Sequence, residues 1–151
     1  MRLEQADSET RLDIQSEGVL FFEPWARRWS QFRDALDRLG ESLESLPSTE
    51  LERDGVLHRF ARCVDLFHKL LRRLLWSKGL SDQGLKDALV LAYQQGWIED
   101  EERWLSLLQA RFWVERAYDE SRSGPLLEKI VRHRALLVHA RESLKERFDL
   151  E

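Results

Sequence analysis

The spacing of large apolar residues between positions 25 and 46 is the feature that most restricts the fold of this chain. The intervals between these residues alternate between four and three, which places all of them on one face of an α-helix. The series comprises Trp25, Trp29, Phe32, Leu36, Leu39, Leu43 and Leu46. Such a seam packs against other helices. It predicts a first helix that begins near Pro24 and ends before Pro47.

A second apolar pattern, from Thr49 to Lys78, is wider than the first. One row contains Val56, Phe60, Cys63, Phe67, Leu70 and Leu74, and a neighbouring row contains Leu57, Val64, Leu71 and Leu75. Two adjacent rows indicate burial on more than one side of a helix. We therefore expect this second helix to lie at the centre of the fold and to stop at Gly79.

Three further helices are predicted after the second. A short one should begin with Ser81 or Asp82 as its N-cap and run to Gln95. A fourth should begin within the acidic segment 99–102, since acidic side chains are favourable at a helix N-terminus. The segment S-R-S-G-P, residues 121–125, should form the loop that separates it from a fifth. The predicted fold class is an all-α, antiparallel up-and-down bundle of about five helices.

The distribution of charge divides the chain into two parts. Residues 1–24 carry two Arg and six acidic side chains, which predicts an acidic, partly disordered leader. Residues 25–151 carry 22 basic and 22 acidic side chains and should form one helical domain. Because this domain is neutral, it has no overall attraction for nucleic acid.

The composition favours a cytoplasmic protein that has no contact with a membrane. No run of about 18 apolar residues is present. The first ten residues lack the apolar core of a signal peptide. The single cysteine, Cys63, cannot form an internal disulfide, which fits a reducing compartment.

The common catalytic and metal-binding motifs do not occur in this sequence. The four histidines, His58, His68, His133 and His139, form no pair with metal-ligand spacing on one helix face, and we interpret them as surface residues or as residues whose rings extend from the core to solvent. Cys63 falls on an apolar row, where a thiol is inert more often than reactive. Neither a glycine-rich phosphate loop nor G-x-S-x-G is present. We therefore expect no metal, no cofactor and no catalytic residue.

The segment from Arg111 to Tyr118 is the one place where packing alone does not explain the choice of residues. Seven residues are about two helical turns, so the guanidinium and the phenol fall on one face of the fourth helix. That face is otherwise apolar, with Trp104, Leu107, Leu108 and Val114. An arginine on such a face needs a partner or a ligand.

Asp65, in the middle of the second helix, has two interpretations. It lies between Val64 and Leu66 and could simply face solvent between the apolar rows. Alternatively, it orients Arg111 from the neighbouring helix through a two-bond carboxylate–guanidinium pair.

Four segments in a fixed order carry a resemblance to a known family. They read W-A-R-R-W-S-Q-F-R-D-A-L-D-R-L, L-H-R-F-A-R-C-V-D-L-F-H-K-L, A-Y-Q-Q-G-W-I-E-D and R-F-W-V-E-R-A-Y. Together they resemble the nucleotidyltransferase substrate-binding proteins of the HEPN superfamily over about residues 25–148. The resemblance implies a small helical bundle that is encoded beside a minimal nucleotidyltransferase. It also implies a homodimer in which the Arg111 segments meet near the two-fold axis.

The last segment departs from the motif of the family's ribonuclease toxins, which has the form R-N-x-x-S-H-x-Y. Arg111 and Tyr118 match the motif, whereas Phe112, Glu115 and Arg116 stand where the Asn, the small hydroxyl residue and the His would be. The resemblance implies that Arg111 and Arg116 bind a nucleotide or an RNA phosphate. It also implies that Tyr118 can accept a nucleotide from the partner enzyme. An arginine does not release its proton near neutral pH, so Arg116 cannot replace a catalytic histidine.

Three functions remain open from the sequence. The first is a partner subunit of a nucleotidyltransferase without nuclease activity, in a pair that resembles a toxin–antitoxin system. The second is a ribonuclease toxin that uses a relocated base. The third is a helical interaction module with no nucleotide role.

Overall fold

A computed structural model of the protein describes residues 25–120 and 123–150, without the side chains of residues 115, 117–120, 123 and 124. The leader predicted for residues 1–24 lies outside the described residues. Five helices make up the described part: α1 (Ala26–Glu44), α2 (Glu50–Ser77), α3 (Leu85–Gln94), α4 (Glu101–Glu120) and α5 (Ser123–Phe148). This part contains no β-strand, and the prediction of an all-α bundle is confirmed.

Helix α2 lies at the centre of the bundle, as its two apolar rows predict. Its first turn is fixed by a capping box in which Thr49 Oγ1 accepts from the Glu52 amide at 3.1 Å. The Glu52 carboxylate in turn accepts from the Thr49 amide at 3.0 Å. Gly79 ends the helix with a φ of 76°. Every residue of both rows is buried, and α2 contacts each of the other four helices.

Aromatic contacts fix the position of α4 against the centre of the bundle. The ring of Phe67 on α2 lies 5.0 Å from that of Phe32 on α1. On its other side it stacks on Trp104 of α4, with ring centroids 5.3 Å apart. This column anchors the first turn of α4 to α2, so α4 carries its later residues past the same helix.

Three boundaries differ from the sequence predictions. Leu46 follows the end of α1 with a φ of 54° and is exposed, so it does not belong to the apolar seam. Helix α3 begins at Leu85 after Gly84, because the Asp82 carboxylate is bonded to α2 and not to the first turn of α3. Of the predicted loop 121–125, residues 123–125 belong to the first turn of α5, where proline is tolerated, and residues 121 and 122 lie outside the described residues.

Candidate functional site

The structure brings Arg111 of α4 and Asp65 of α2 together. Arg111 donates from Nε to Asp65 Oδ1 and from Nη2 to Asp65 Oδ2, both at 3.1 Å. This two-bond pair fixes the plane of the guanidinium. The Arg111 side chain is 25% exposed and that of Asp65 is 52% exposed, so the pair lies at the surface of the bundle. Nη1 of Arg111 makes no hydrogen bond to any residue that the structure describes and remains able to donate.

The position of Arg111 follows from the packing of α4 around it. Leu107, one turn earlier, is completely buried, and Val114, three residues later, is 2% exposed. Arg111 lies on the edge of this buried face and is partly exposed. The fold therefore places a permanently charged group at the rim of the core, where its charged end reaches solvent and its stem lies along apolar surface.

Arg116 lies five residues beyond Arg111 on α4, and its guanidinium lies over two aromatic rings. Its guanidinium carbon is 5.3 Å from the ring centre of Phe112 and 4.9 Å from that of Trp113. Both rings are unusually open, with Phe112 62% and Trp113 42% exposed. Cation–π contacts of this kind hold a guanidinium in place without neutralising its charge.

Both arginines line an open groove of about 470 Å³ on α4. Its lining consists of Leu108, Arg111, Phe112 and Arg116, and no acidic side chain is among these four. Two guanidinium groups beside an apolar floor can bind a phosphate through their planar donors while a ring stacks on Phe112. The groove is therefore a candidate site for a phosphate-bearing ligand.

Tyr118 belongs to the same helix, two turns beyond Arg111. Its side chain, like that of Glu115, lies outside the described residues. Its proposed role as a nucleotide acceptor and the roles of Arg111, Arg116 and Asp65 in ligand binding stay predictions.

One of the four histidines contradicts the sequence interpretation, because His133 is buried and not at the surface. It is 6% exposed, and its ring stacks on Phe60 at 5.9 Å. Its Nε2 has no hydrogen-bond partner among the described residues. Burial, together with the charges of Arg132 and Lys129, lowers the pKa of His133 to about 4.

A second polar cluster, between α2 and the loop before α3, was not anticipated from the sequence. The Asp82 carboxylate is completely buried and accepts two hydrogen bonds from Arg72, both at 3.0 Å. His68 Nε2 lies 2.9 Å from the same carboxylate, and the Gly84 amide donates to it at 3.0 Å. Burial opposes the ionisation of Asp82, but the bonds from Arg72 and His68 outweigh it and lower its pKa to about 2. The cluster fastens the loop to α2.

The remaining candidates for chemistry are inaccessible or absent among the described residues. Cys63 is buried in the core, and burial raises the pKa of its thiol to about 12. Across residues 25–120 and 123–150, no group of three or more His, Cys, Asp or Glu side chains is placed to hold a metal ion. No described helix has the length and apolar character needed to cross a bilayer.

Comparison with known proteins assigns the chain to a family. The model of the family described as "Nucleotidyltransferase substrate binding protein like" matches residues 27–146. The chain belongs to this family. The match begins in the first turn of α1 and extends to the last turn of α5, so it includes both Asp65 and the whole of α4. No curated protein matches the chain.

Proposed function

We propose that this protein is a HEPN-type partner subunit of a minimal nucleotidyltransferase and has no nuclease activity of its own. The description of its family supports an association with a nucleotidyltransferase. The partner would be the enzyme, and this chain would present a surface to it. The pair would then function in the manner of a toxin–antitoxin system.

The Arg111–Asp65 pair is the observation that carries the proposed nucleotide role. Two hydrogen bonds orient the Arg111 guanidinium and leave Nη1 directed away from Asp65. Arg116 adds a second positive charge to the lining of the same groove. We propose that these two residues bind the phosphate of a nucleotide that the partner transfers to Tyr118.

The transfer to Tyr118 would be a nucleophilic substitution at phosphorus. The phenol oxygen attacks the α-phosphorus of ATP, the bond to the bridging oxygen breaks, and pyrophosphate leaves. The partner's Mg²⁺ site would supply the general base that takes the phenol proton. Arg111 and Arg116 would stabilise the negative charge that develops on the phosphate oxygens.

The composition of the groove favours a protein without ribonuclease activity. Cleavage of RNA without a metal requires a group that exchanges a proton near neutral pH. No histidine lines the groove that contains Arg111 and Arg116, and neither guanidinium exchanges its proton there. A ribonuclease toxin would need a base from elsewhere.

We also propose a homodimer that forms around α4. Leu105, Phe112 and Trp113 are 44%, 62% and 42% exposed on this helix. Their burial in an interface would be favourable at roughly 25 cal/mol per Å² before the cost of association. Sedimentation at micromolar concentration should give twice the mass of the chain, and a single species of 18.0 kDa would contradict the dimer.

The modification of Tyr118 has a direct test. The protein is incubated with the nucleotidyltransferase encoded beside it, ATP and Mg²⁺, and its mass is measured. We expect an added nucleotide that is lost in Tyr118→Phe. The chain has two tyrosines, and the other is Tyr93, which is 47% exposed. Tyr93→Phe is therefore the matched control and should keep the modification.

Two results would contradict the proposed function. The absence of a mass change in the wild-type protein, or an equal change in Tyr118→Phe, would exclude Tyr118 as the acceptor. Purified protein should leave tRNA and mRNA intact over hours. Cleavage that disappears in Arg111→Ala would favour the ribonuclease toxin instead.

A further inference from the structure

A second groove, separate from the one on α4, lies between α1 and α2. It has a volume of about 420 Å³. Its lining comprises Gln31, Asp34, Ala35 and Arg38 from α1, and His58, Arg59, Arg62 and Leu66 from α2. This volume falls within the usual range for small-ligand sites.

The charge of this groove is unbalanced. Three arginines and one histidine line it, against the single carboxylate of Asp34. The guanidinium groups of Arg38 and Arg62 form no ion pair or hydrogen bond with any residue that the structure describes. Arg59 donates only to neutral acceptors there, the Arg38 carbonyl at 3.0 Å and Ser42 Oγ at 2.6 Å. Elsewhere in the bundle, Arg72 and Arg111 each have a carboxylate partner.

The three arginines line the same groove. Arg59 and Arg62 are three residues apart on α2, which places them one above the other on the same face. The hydrogen bond from Arg59 to the Arg38 carbonyl shows that the two helices approach each other at this level. Asp34 lies one turn before Arg38 on α1, so the groove contains one carboxylate beside three guanidinium groups and carries a net positive charge. Such an arrangement fits a compact ligand that carries several negative charges.

We propose that this groove binds the polyphosphate chain of a nucleoside triphosphate. Arginine binds phosphate oxygens through its planar donors, and several phosphates joined together match several guanidinium groups within one turn. The leucine and alanine of the lining offer an apolar surface to the nucleoside. A single-stranded nucleic acid fits less well, because such ligands are held by stacking on large aromatic side chains, and no Phe, Tyr or Trp lines this groove.

This site is distinct from the one proposed around Tyr118. Asp65 follows Arg62 by three residues on α2, so the two sites lie one helical turn apart along that helix. The α1–α2 groove does not use Arg111, Arg116 or the partner enzyme. Its occupation by a triphosphate is therefore independent of the proposed function.

The test measures the binding of MgATP and of inorganic tripolyphosphate to the full chain by calorimetry, without a partner. Arg38→Gln with Arg62→Gln is the main variant, because these side chains hold no contact that stabilises the described fold. Hydrogen bonds between a charged donor and phosphate contribute strongly to the free energy of binding. We therefore expect this double variant to bind both ligands at least about tenfold more weakly. Arg132→Gln, an exposed position on α5, is the matched control and should bind within about twofold of wild type. Arg111→Ala should also retain binding.

Several results would overturn the inference. One is wild-type protein that binds neither MgATP nor tripolyphosphate at millimolar concentration. Another is a double variant that binds as tightly as Arg132→Gln. Loss of binding in Arg111→Ala with retention in the double variant would place the nucleotide on α4. A ten-nucleotide single-stranded RNA that binds more tightly than MgATP, with the same dependence on Arg38 and Arg62, would replace the triphosphate with RNA.

Discussion

Two aspartate–arginine pairs, each with one member on α2, have the same hydrogen-bond geometry but differ in which side chain is buried. In each, the arginine donates from Nε and Nη2 to the two oxygens of the carboxylate. In the Asp82–Arg72 pair the carboxylate is completely buried and the arginine side chain is 43% exposed. In the Asp65–Arg111 pair the carboxylate is 52% exposed and the arginine 25%.

The difference shows that the same kind of ion pair has a different role depending on whether its carboxylate is buried or exposed. The buried Asp82 accepts further hydrogen bonds from His68 and the Gly84 amide, so all of these contacts of its carboxylate are with other parts of the bundle. The exposed Asp65 accepts from Arg111 and has no second partner among the described residues, which leaves it dispensable for the core. The first pair should stabilise the bundle, and the second should orient a group for a ligand.

The largest effect should follow from Asp82→Asn. At neutral pH we expect the free energy of unfolding to fall by between about 2 and 3 kcal/mol, because the buried carboxylate loses its ionised bonds to Arg72 and His68. Urea denaturation followed by circular dichroism measures this loss. A change of less than about 1 kcal/mol would mean that the cluster does not fasten the loop to α2.

A low pH should remove the difference in the free energy of unfolding between wild type and Asp82→Asn. The pKa of Asp82 is about 2 in the folded chain and 3.8 in its ordinary state, so the unfolded chain takes up the proton first as the pH falls. The stabilisation is complete above about pH 5 and is lost as the pH falls through 4 towards 2. Wild type and Asp82→Asn should therefore converge in stability at about pH 2.

A second test uses His133, a buried polar group that has no partner of opposite charge among the residues that the structure describes. The folded chain protonates His133 only near pH 4, whereas an ordinary histidine does so near 6.5. The unfolded state therefore binds the proton first, and stability falls as the pH falls through this window. Between pH 6.5 and pH 5 the loss should be about 2 kcal/mol.

Replacement of His133 by Leu should abolish that part of the pH dependence. Urea denaturation at several pH values measures the slope. His139→Leu, at an exposed position of the same helix, keeps His133 and should therefore keep the wild-type loss. Equal slopes in His133→Leu and wild type would assign the acid sensitivity to other groups.

The smallest effect on stability should come from Asp65→Asn. A surface ion pair contributes little, so we expect the free energy of unfolding to change by less than about 1 kcal/mol. The nucleotide transfer to Tyr118 should nevertheless slow, because Arg111 loses the bonds that orient it. A loss of stability as large as that of Asp82→Asn would remove the distinction between the two pairs.

The sequence predicts the helices well because each depends on local patterns. The two apolar rows of α2 determine which of its residues are buried, and Gly79 just after it determines where it ends. Both signals lie within the segment or next to it. The contact between Asp65 and Arg111 is one of the two interpretations that the sequence allows for Asp65, because each residue interrupts an apolar pattern on its helix. The structure contains that contact, although the two residues are 46 positions apart.

The Asp82 cluster and His133 could not be read from the sequence, because both depend on how the chain turns between helices. Asp82 follows Ser81 in a loop and looks like an ordinary N-cap. Only the return of the loop onto α2 directs its carboxylate at Arg72. His133 is polar and lies among charged neighbours on α5, and its burial results from packing against Phe60 of α2. Neither contact leaves a periodic signal.

The burial of Cys63 also makes the protein a convenient object for measurements in solution. The chain has one cysteine, it is completely buried, and its thiol resists ionisation. A thiol reagent can therefore react with it only when α2 separates from its neighbours, so the labelling rate of the unmodified protein reports the opening of the core. For the same reason, a cysteine introduced at an exposed position away from α4, such as Leu51, would take a fluorescent probe selectively while the fold remains closed.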